Sequence, residues 1–143
     1  MKKKELEFLT PDLKTKIKLQ ISDATVSAGF PSPAEDYDIN TLDLNEFLIK
    51  NPSTTFLVRV NGDSMEDAGI FKGDILIVDR TIQPNNGDTV IAIIDNDFLV
   101  KRLKIKDERL FLVPANSSYK EINIGKNQSF AVWGVVIYNI HKF

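Results

Sequence analysis

From Thr54 onward the sequence is a succession of short apolar runs separated by turn-forming residues, and this pattern constrains the fold most. Apolar and β-branched residues favour strands, and Gly, Asn and Asp between the runs favour turns. The predicted strands are Phe56–Val60, Ile75–Val78, Thr89–Ile94, Phe98–Ile105, Leu110–Val113 and Phe130–Ile140. The last run is apolar on both alternations and is expected to be central. The pattern predicts a mostly β fold, a rolled or barrel-like antiparallel domain with one short helix.

The residues before these strands differ in kind. Residues 1–38 carry mixed charge and no sustained period, and the prolines of the Phe30–Pro33 segment oppose helix and sheet pairing. We expect an extended N-terminal arm here, laid over the domain rather than built into its core. Asp43, with Glu46 three residues later, is a variant of the capping box and predicts the start of the one helix. The β domain is therefore expected over residues 39–143.

Composition argues against several kinds of site. The chain has no cysteine and one histidine, His141, which argues against disulfides, multi-histidine metal sites and a Ser-His-Asp triad. No metal and no cofactor are expected. The formal net charge of −2 does not match a nucleic acid partner. Charged residues follow the N-terminal lysines, and no apolar run approaches the roughly 20 residues that span a bilayer, so the expected location is the cytoplasm.

Ser64 stands where the first predicted strand stops at a polar corner. Gly62 and Asp63 break the apolar alternation, since glycine permits positive φ and aspartate hydrogen-bonds its own turn. A strand end can present the hydroxyl of the next loop residue in a fixed position. Taken alone, however, this stretch is more typical of a turn serine with no chemistry.

Lys101 is the one polar residue on an aliphatic face of its predicted strand, where Leu99, Leu103 and Ile105 are its neighbours. A lysine there either extends to the edge of the sheet or is held in a dry site. A purely structural role is the more common one. In a dry site, however, desolvation would lower the pKa of the lysine, and a neutral amine is a competent general base.

A serine activated by a neutral lysine is a recognised variant of the catalytic triad. Because the chain offers no usable histidine or cysteine, Lys101 is the candidate base for Ser64. Backbone N–H groups at the Gly62–Ser64 corner would then form an oxyanion hole.

Several stretches of the chain together resemble the LexA-type Ser-Lys self-cleaving serine peptidases, the S24 family. The stretches that carry the serine and the lysine are Gly62–Met65, Asp67–Ile70, Gly73–Asp79 and Phe98–Leu103. Further support comes from Gly29–Ala34, Ile39–Pro52 and Trp133–Ile137. The resemblance covers nearly everything from residue 26 to residue 140 and weakens over residues 1–25.

The resemblance implies a LexA-type C-terminal peptidase domain in which Ser64 is the nucleophile and Lys101 its general base. The backbone amides of Asp63 and Ser64 would stabilise the oxyanion. This would make the protein an endopeptidase that acts on itself.

Members of this family cut themselves between a small residue and a glycine, and Ala28-Gly29 occupies the matching place here. A small side chain lets the backbone approach the serine closely, and the glycine tolerates a sharp bend. Val26, two residues before Ala28, would fill an apolar subsite. Alanine stands where some relatives have cysteine.

The same resemblance implies a role in the SOS response to DNA damage. A RecA nucleoprotein filament would promote cleavage, and the shortened product, a homodimer, would be the accessory subunit of a UmuC-type Y-family translesion DNA polymerase. The residues before the cut are too few for a helix-turn-helix domain, so direct sequence-specific DNA binding is not expected, nor is a membrane partner.

Two alternatives remain. One is a non-catalytic polymerase-binding module of the same fold, in which the serine and lysine are only structural. The other is a protease acting on other proteins, which is less favoured because a segment of the same chain has a high effective concentration at the site.

Overall fold

The computed structural model describes residues 6–14, 18–22, 39–125 and 129–143. The chain forms two compact units, one of residues 1–11 and 51–143 and the other of residues 12–50.

The smaller unit contains a two-stranded antiparallel sheet, in which β2 (Lys18–Ser22) pairs with β3 (Ile39–Asp43). The short helix α1 (Leu44–Leu48) follows at once. The Asp43 carboxylate accepts the backbone N–H of Asn45 at 3.0 Å and satisfies a donor at the helix start. The predicted helix start is confirmed. No helix in the described ranges is long and apolar enough to cross a membrane.

The larger unit contains one antiparallel sheet of eight strands in the order β1-β4-β5-β10-β6-β7-β8-β9. These strands are β1 (Leu6–Leu9), β4 (Thr55–Val60), β5 (Ile75–Asp79), β6 (Thr89–Ile94), β7 (Asp97–Lys106), β8 (Arg109–Val113), β9 (Ile122–Asn123) and β10 (Phe130–Ile140). The mostly β antiparallel fold with one short helix is confirmed. The sheet is open, because its edge strands β1 and β9 do not pair with each other in the described part of the chain.

All six predicted strands are present, and β10 lies between β5 and β6 inside the sheet, as its two apolar faces predicted. The turns explain why the β6–β7–β8 hairpins were predictable. Asp95 and Asn96 join β6 to β7 with φ values of 48° and 70°, and Asp107 and Glu108 join β7 to β8 with φ values of 52° and 61°. Positive φ at both loop residues matches the twist of a two-residue hairpin, and Asp and Asn tolerate it.

The first described residues of the predicted N-terminal arm form a strand that the sequence pattern did not predict. Leu6–Leu9 forms β1, an edge strand of the large sheet, and the Leu6 side chain is 5% exposed in the core. This strand was not predicted because a run of four residues is too short to show the alternation of a strand, and because its partner, β4, is distant in sequence.

The two faces of the large sheet each carry an apolar cluster of buried side chains. The first cluster consists of Leu6, Val58, Val60, Met65, Ile70, Leu76, Val78, Ile91 and Val100. The second consists of Val90, Ala92, Ile94, Leu103, Leu112 and Val135. Neighbouring strand residues such as Val90 and Ile91 belong to different clusters, because successive side chains point to opposite faces.

Gly134 is expected to tolerate no side chain. It lies where the pairing of β10 with β6 shifts register, and an added Cβ would be 2.6 Å from Cγ1 of the fully buried Val78. Gly134→Ala should therefore destabilise the fold by about 1–3 kcal/mol through overpacking, measured by urea unfolding. Val78→Ala provides the control, since it removes the clashing methyl groups. The double variant should lose less stability than the sum of the two single variants, and strict additivity would contradict this account.

Candidate functional site

Ser64 lies in the turn between β4 and a short 3₁₀ turn at Glu66–Ala68. Its neighbour Met65 is 1% exposed within the first core cluster, and the Met65 carbonyl accepts the backbone N–H of Ala68 at 3.0 Å and of Ile70 at 3.2 Å. Ser64 itself is 4% exposed. Because the next residue is anchored in the core, the backbone that carries the serine is held in place.

Lys101 lies in the middle of β7, where it pairs with Val90 of β6. The Lys101 side chain is on the same face of the strand as Leu99 and Leu103, as the alternation predicted, and both leucines contribute to the second cluster. Lys101 is 5% exposed. Of the two predicted possibilities, the side chain is buried rather than extended to the edge of the sheet.

The structure brings the two predicted residues into direct contact. Lys101 Nζ donates a hydrogen bond to Ser64 Oγ at 2.5 Å, and the pair is buried. Lys101 Nζ also lies 5.7 Å from the centroid of the Tyr119 ring. A hydroxyl and an amine at this distance, shielded from bulk water, are arranged for proton transfer between them.

A loop over residues 114–119, which follows β8, holds the residues on either side of Ser64. Asn116 Nδ2 donates to the Asp63 carbonyl at 2.8 Å, and the Tyr119 hydroxyl donates to the Asp63 carboxylate. On the other side, the Ala115 backbone N–H contacts Met65 Sδ at 3.3 Å. The 114–119 loop therefore fixes the backbone that carries the serine.

The contact from Asn116 also orients one candidate oxyanion donor. The peptide bond between Asp63 and Ser64 is planar and trans, so its carbonyl and its N–H point in opposite directions. By binding the carbonyl, Asn116 fixes the direction of the Ser64 N–H. Asn116 and Tyr119 were not predicted from the sequence, because a polar stretch after Pro114 has no feature that separates it from an ordinary surface turn.

Val26, Ala28 and Gly29, which form the predicted cleavage segment, lie outside the described residues. The described part of the predicted site thus consists of Asp63, Ser64 and Lys101.

His141 takes part in a separate polar cluster. Its Nδ1 lies 2.6 Å from the buried Asp74 carboxylate, which also accepts the Phe71 backbone N–H and the Asn139 side-chain amide, each at 2.8 Å. Burial raises the pKa of Asp74, but these hydrogen bonds and the His141 charge outweigh it and hold the pKa below its usual range. The cluster ties the end of β10 to the turn before β5.

The chain is similar in sequence to a known protein family and to several characterised proteins. A family model described as Peptidase S24-like matches residues 20–137. The chain is 43% identical over 116 residues to the protein MucA of Salmonella typhimurium, covering 80% of this chain and 79% of that protein. It is 45% identical over 115 residues to the protein SamA of Salmonella typhimurium strain LT2, covering 80% and 79%. It is 36% identical over 137 residues to the LexA repressor of Xylella fastidiosa, covering 91% and 64%. The family match includes both Ser64 and Lys101.

Proposed function

We propose that this protein is a serine endopeptidase that cleaves itself between Ala28 and Gly29. The chain belongs to the Peptidase S24-like family of SOS-related, self-cleaving peptidases, and it is a UmuD-type member. Ser64 is the nucleophile and Lys101 the general base. The observation that carries the proposal is the buried 2.5 Å contact between Lys101 Nζ and Ser64 Oγ.

In the first step the neutral Lys101 amine accepts the Ser64 hydroxyl proton, and Oγ forms a bond to the carbonyl carbon of Ala28. The negative charge that develops on the carbonyl oxygen is stabilised by the backbone N–H groups of Ser64 and Asp63. The bond from this carbon to the Gly29 nitrogen then breaks, and the Lys101 ammonium gives its proton to the leaving amine.

The second step releases the arm. Ala28 is now joined to Ser64 through an ester, and Lys101, again neutral, accepts a proton from an attacking water. The water oxygen bonds to the ester carbon, the bond to Ser64 Oγ breaks, and the proton returns to the serine. The products are residues 1–28 with a new carboxylate and residues 29–143 with a new amine.

The family resemblance supports a wider proposal about partners. A RecA filament promotes the cleavage by favouring the docked arm, which is a shift between two states of the same chain. The product, as a homodimer, then joins a UmuC-type Y-family polymerase in translesion synthesis.

The proposal is tested by following intact mass during incubation of the purified protein, alone and with RecA filaments. The wild-type protein should yield two fragments that meet between Ala28 and Gly29, and Ser64→Ala should yield none. Ser53→Ala, at an exposed serine just before β4, is the matched control and should cleave like the wild type.

Two outcomes would overturn the proposal. Cleavage by Ser64→Ala at the wild-type rate would exclude the serine as nucleophile. Absence of cleavage in the wild type under every condition would favour the non-catalytic binding module. Cleavage of an added, unrelated protein at modest concentration would instead revive the protease that acts on other proteins.

A further inference from the structure

The exposed edge of the large sheet is covered by a strand that belongs to the N-terminal arm. β1 pairs antiparallel with β4, with Leu6 opposite Val60 and Phe8 opposite Val58. Leu6 is 5% exposed in the first core cluster. Without β1, β4 would present a row of unpaired N–H and C=O groups, which is a template for pairing with another extended segment.

β1 also covers an aromatic cluster made of Phe8, Phe56, Phe98 and Trp133. The Phe8 ring lies 4.8 Å from the Phe98 ring and 4.9 Å from the Trp133 ring, both in edge-to-face contact. The Phe56 ring centroid lies 5.1 Å from that of Trp133. If Phe8 left, three aromatic side chains on one face of the sheet would lose this cover.

In the sequence, the proposed cleavage site lies after β1 and before all the other strands of the large sheet, so cleavage separates β1 covalently from them. While the chain is intact, the tether keeps β1 at a high effective concentration at the edge of β4. After cleavage the fragment of residues 1–28 keeps two short pairings, four residue pairs of β1 with β4 and five of β2 with β3. Isolated pairings this short are marginal in water, so we expect the fragment to dissociate once the tether is lost.

We propose that the edge of β4, with Phe56, Phe98 and Trp133 beside it, is a docking edge for an extended segment of a partner protein. In the intact chain β1 occupies this edge and blocks it, and cleavage vacates it. This inference rests on the proposed self-cleavage for its timing, although the edge itself does not depend on that reaction.

β1 shows what chemistry the partner segment must have. Large apolar residues take the places of Leu6 and Phe8, on the face that meets the core and the aromatic cluster. The residue between them takes the place of Glu7, whose carboxylate lies 4.0 Å from the exposed guanidinium of Arg59, and an acidic side chain there adds little to the affinity. Main-chain pairing supplies affinity and the alternate side chains supply specificity, as in other cases of strand addition.

The test uses the full chain with Ser64→Ala, so that the arm stays attached, and a labelled peptide of residues 4–11 as the probe. Adding Leu6→Asp, which puts a charge into the core position of β1, should undock the strand. The peptide should then bind at least about tenfold more tightly than to the Ser64→Ala parent, where the tethered strand competes. Trp133, the single tryptophan of the chain, should report both undocking and peptide binding through its emission.

Controls separate docking from general damage. Glu7→Gln, on the opposite face of β1, should leave Trp133 emission and peptide binding as in the parent, because its exposed ion pair contributes little. A peptide with Asp in place of Leu6 and Phe8 should not bind. If Leu6→Asp fails to fold, Phe8→Ala replaces it, since Phe8 is 37% exposed and its loss leaves the core intact.

A further measurement uses the wild-type protein after it has cleaved itself. Loss of residues 1–28 from the product on size-exclusion chromatography, followed by peptide binding to that product, supports the proposal. Retention of the arm, pairing of two product edges with each other, or absence of peptide binding to every undocked form overturns it. If the wild type never cleaves but the undocked variant binds the peptide, the docking edge stands and the proposed function fails.

Discussion

Lys101→Met should abolish self-cleavage, with a rate at least about 10²–10⁴-fold below that of the wild type, because the reaction loses its general base. Methionine keeps an unbranched apolar stem at this buried position and removes the amine that contacts Ser64 Oγ. The rate is measured as the loss of intact mass with time. Urea unfolding of the same variant establishes that the fold is retained, so that lost activity reports lost chemistry.

Two further lysine variants sharpen this prediction. Lys101→Arg keeps a positive charge but stays protonated at every accessible pH, so it should be as inactive as Lys101→Met if the lysine accepts a proton. Lys104→Met, at a half-buried lysine of the same strand whose Nζ lies 3.1 Å from the Glu121 carboxylate, should cleave normally. Cleavage by Lys101→Arg at a rate near that of the wild type would show that the residue supplies charge and not a base.

The pH profile adds an independent readout on the unmodified protein. Because only the neutral amine accepts the serine proton, the rate should rise with pH and then level off. A rate that does not change between about pH 7 and pH 10 would contradict general-base catalysis by the lysine.

Two site residues could be predicted from the sequence because each interrupts the pattern of the residues around it. Lys101 was identified because a charged residue stood on an aliphatic face, and Ser64 because an apolar strand ended at a glycine-bearing corner. Their contact required the fold, since β5 and β6 and their turns separate them along the chain. The family resemblance supplied this pairing, and the residues alone would have left it open.

The unpredictable parts depend on partners that are far apart in sequence. Asn116 and Tyr119 lie in a polar loop whose local sequence is ordinary, and only the folded chain shows that both contact Asp63. β1 is similar, because Leu6 and Phe8 resemble any short apolar pair until β4 is beside them. Local periodicity identifies strands, whereas edge pairing and loop contacts are settled by tertiary structure.

Asp79 is, after Asp74, a second buried carboxylate, and we expect it to contribute strongly to stability although it takes no part in the proposed cleavage. Asp79, at the end of β5, is 3% exposed and accepts four hydrogen bonds. Its Oδ1 binds the backbone N–H of Thr81 at 2.9 Å, the Thr81 hydroxyl at 2.6 Å and the Thr54 hydroxyl at 3.3 Å, and its Oδ2 binds Asn51 Nδ2 at 3.0 Å. The carboxylate therefore joins the turn before β4 to the residues after β5.

Burial raises the pKa of Asp79, but the hydrogen bonds from Thr81, Asn51 and Thr54 outweigh it and leave the pKa below its usual range. The folded state therefore binds the proton less readily than the unfolded state. The stabilisation is complete above the unfolded pKa and is lost as pH falls through the lower, folded pKa. At neutral pH it is present in full, and below about pH 4 it declines.

Asp79→Asn should destabilise the protein by about 2–3 kcal/mol at pH 7, since one amide oxygen cannot replace both carboxylate oxygens and a buried donor then faces the new NH₂ group. The difference from the wild type should shrink in acid, where the wild-type carboxylate also takes up a proton. Both values come from urea unfolding at pH 7 and pH 3. Asp97→Asn, at an exposed position at the start of β7, should change stability by less than about 0.5 kcal/mol at either pH. If the Asp79→Asn variant were as stable as the wild type at pH 7, the cost of burying the carboxylate would equal what its four hydrogen bonds contribute. The ionised Asp79 would then add nothing to the free energy of unfolding, and this account would be contradicted.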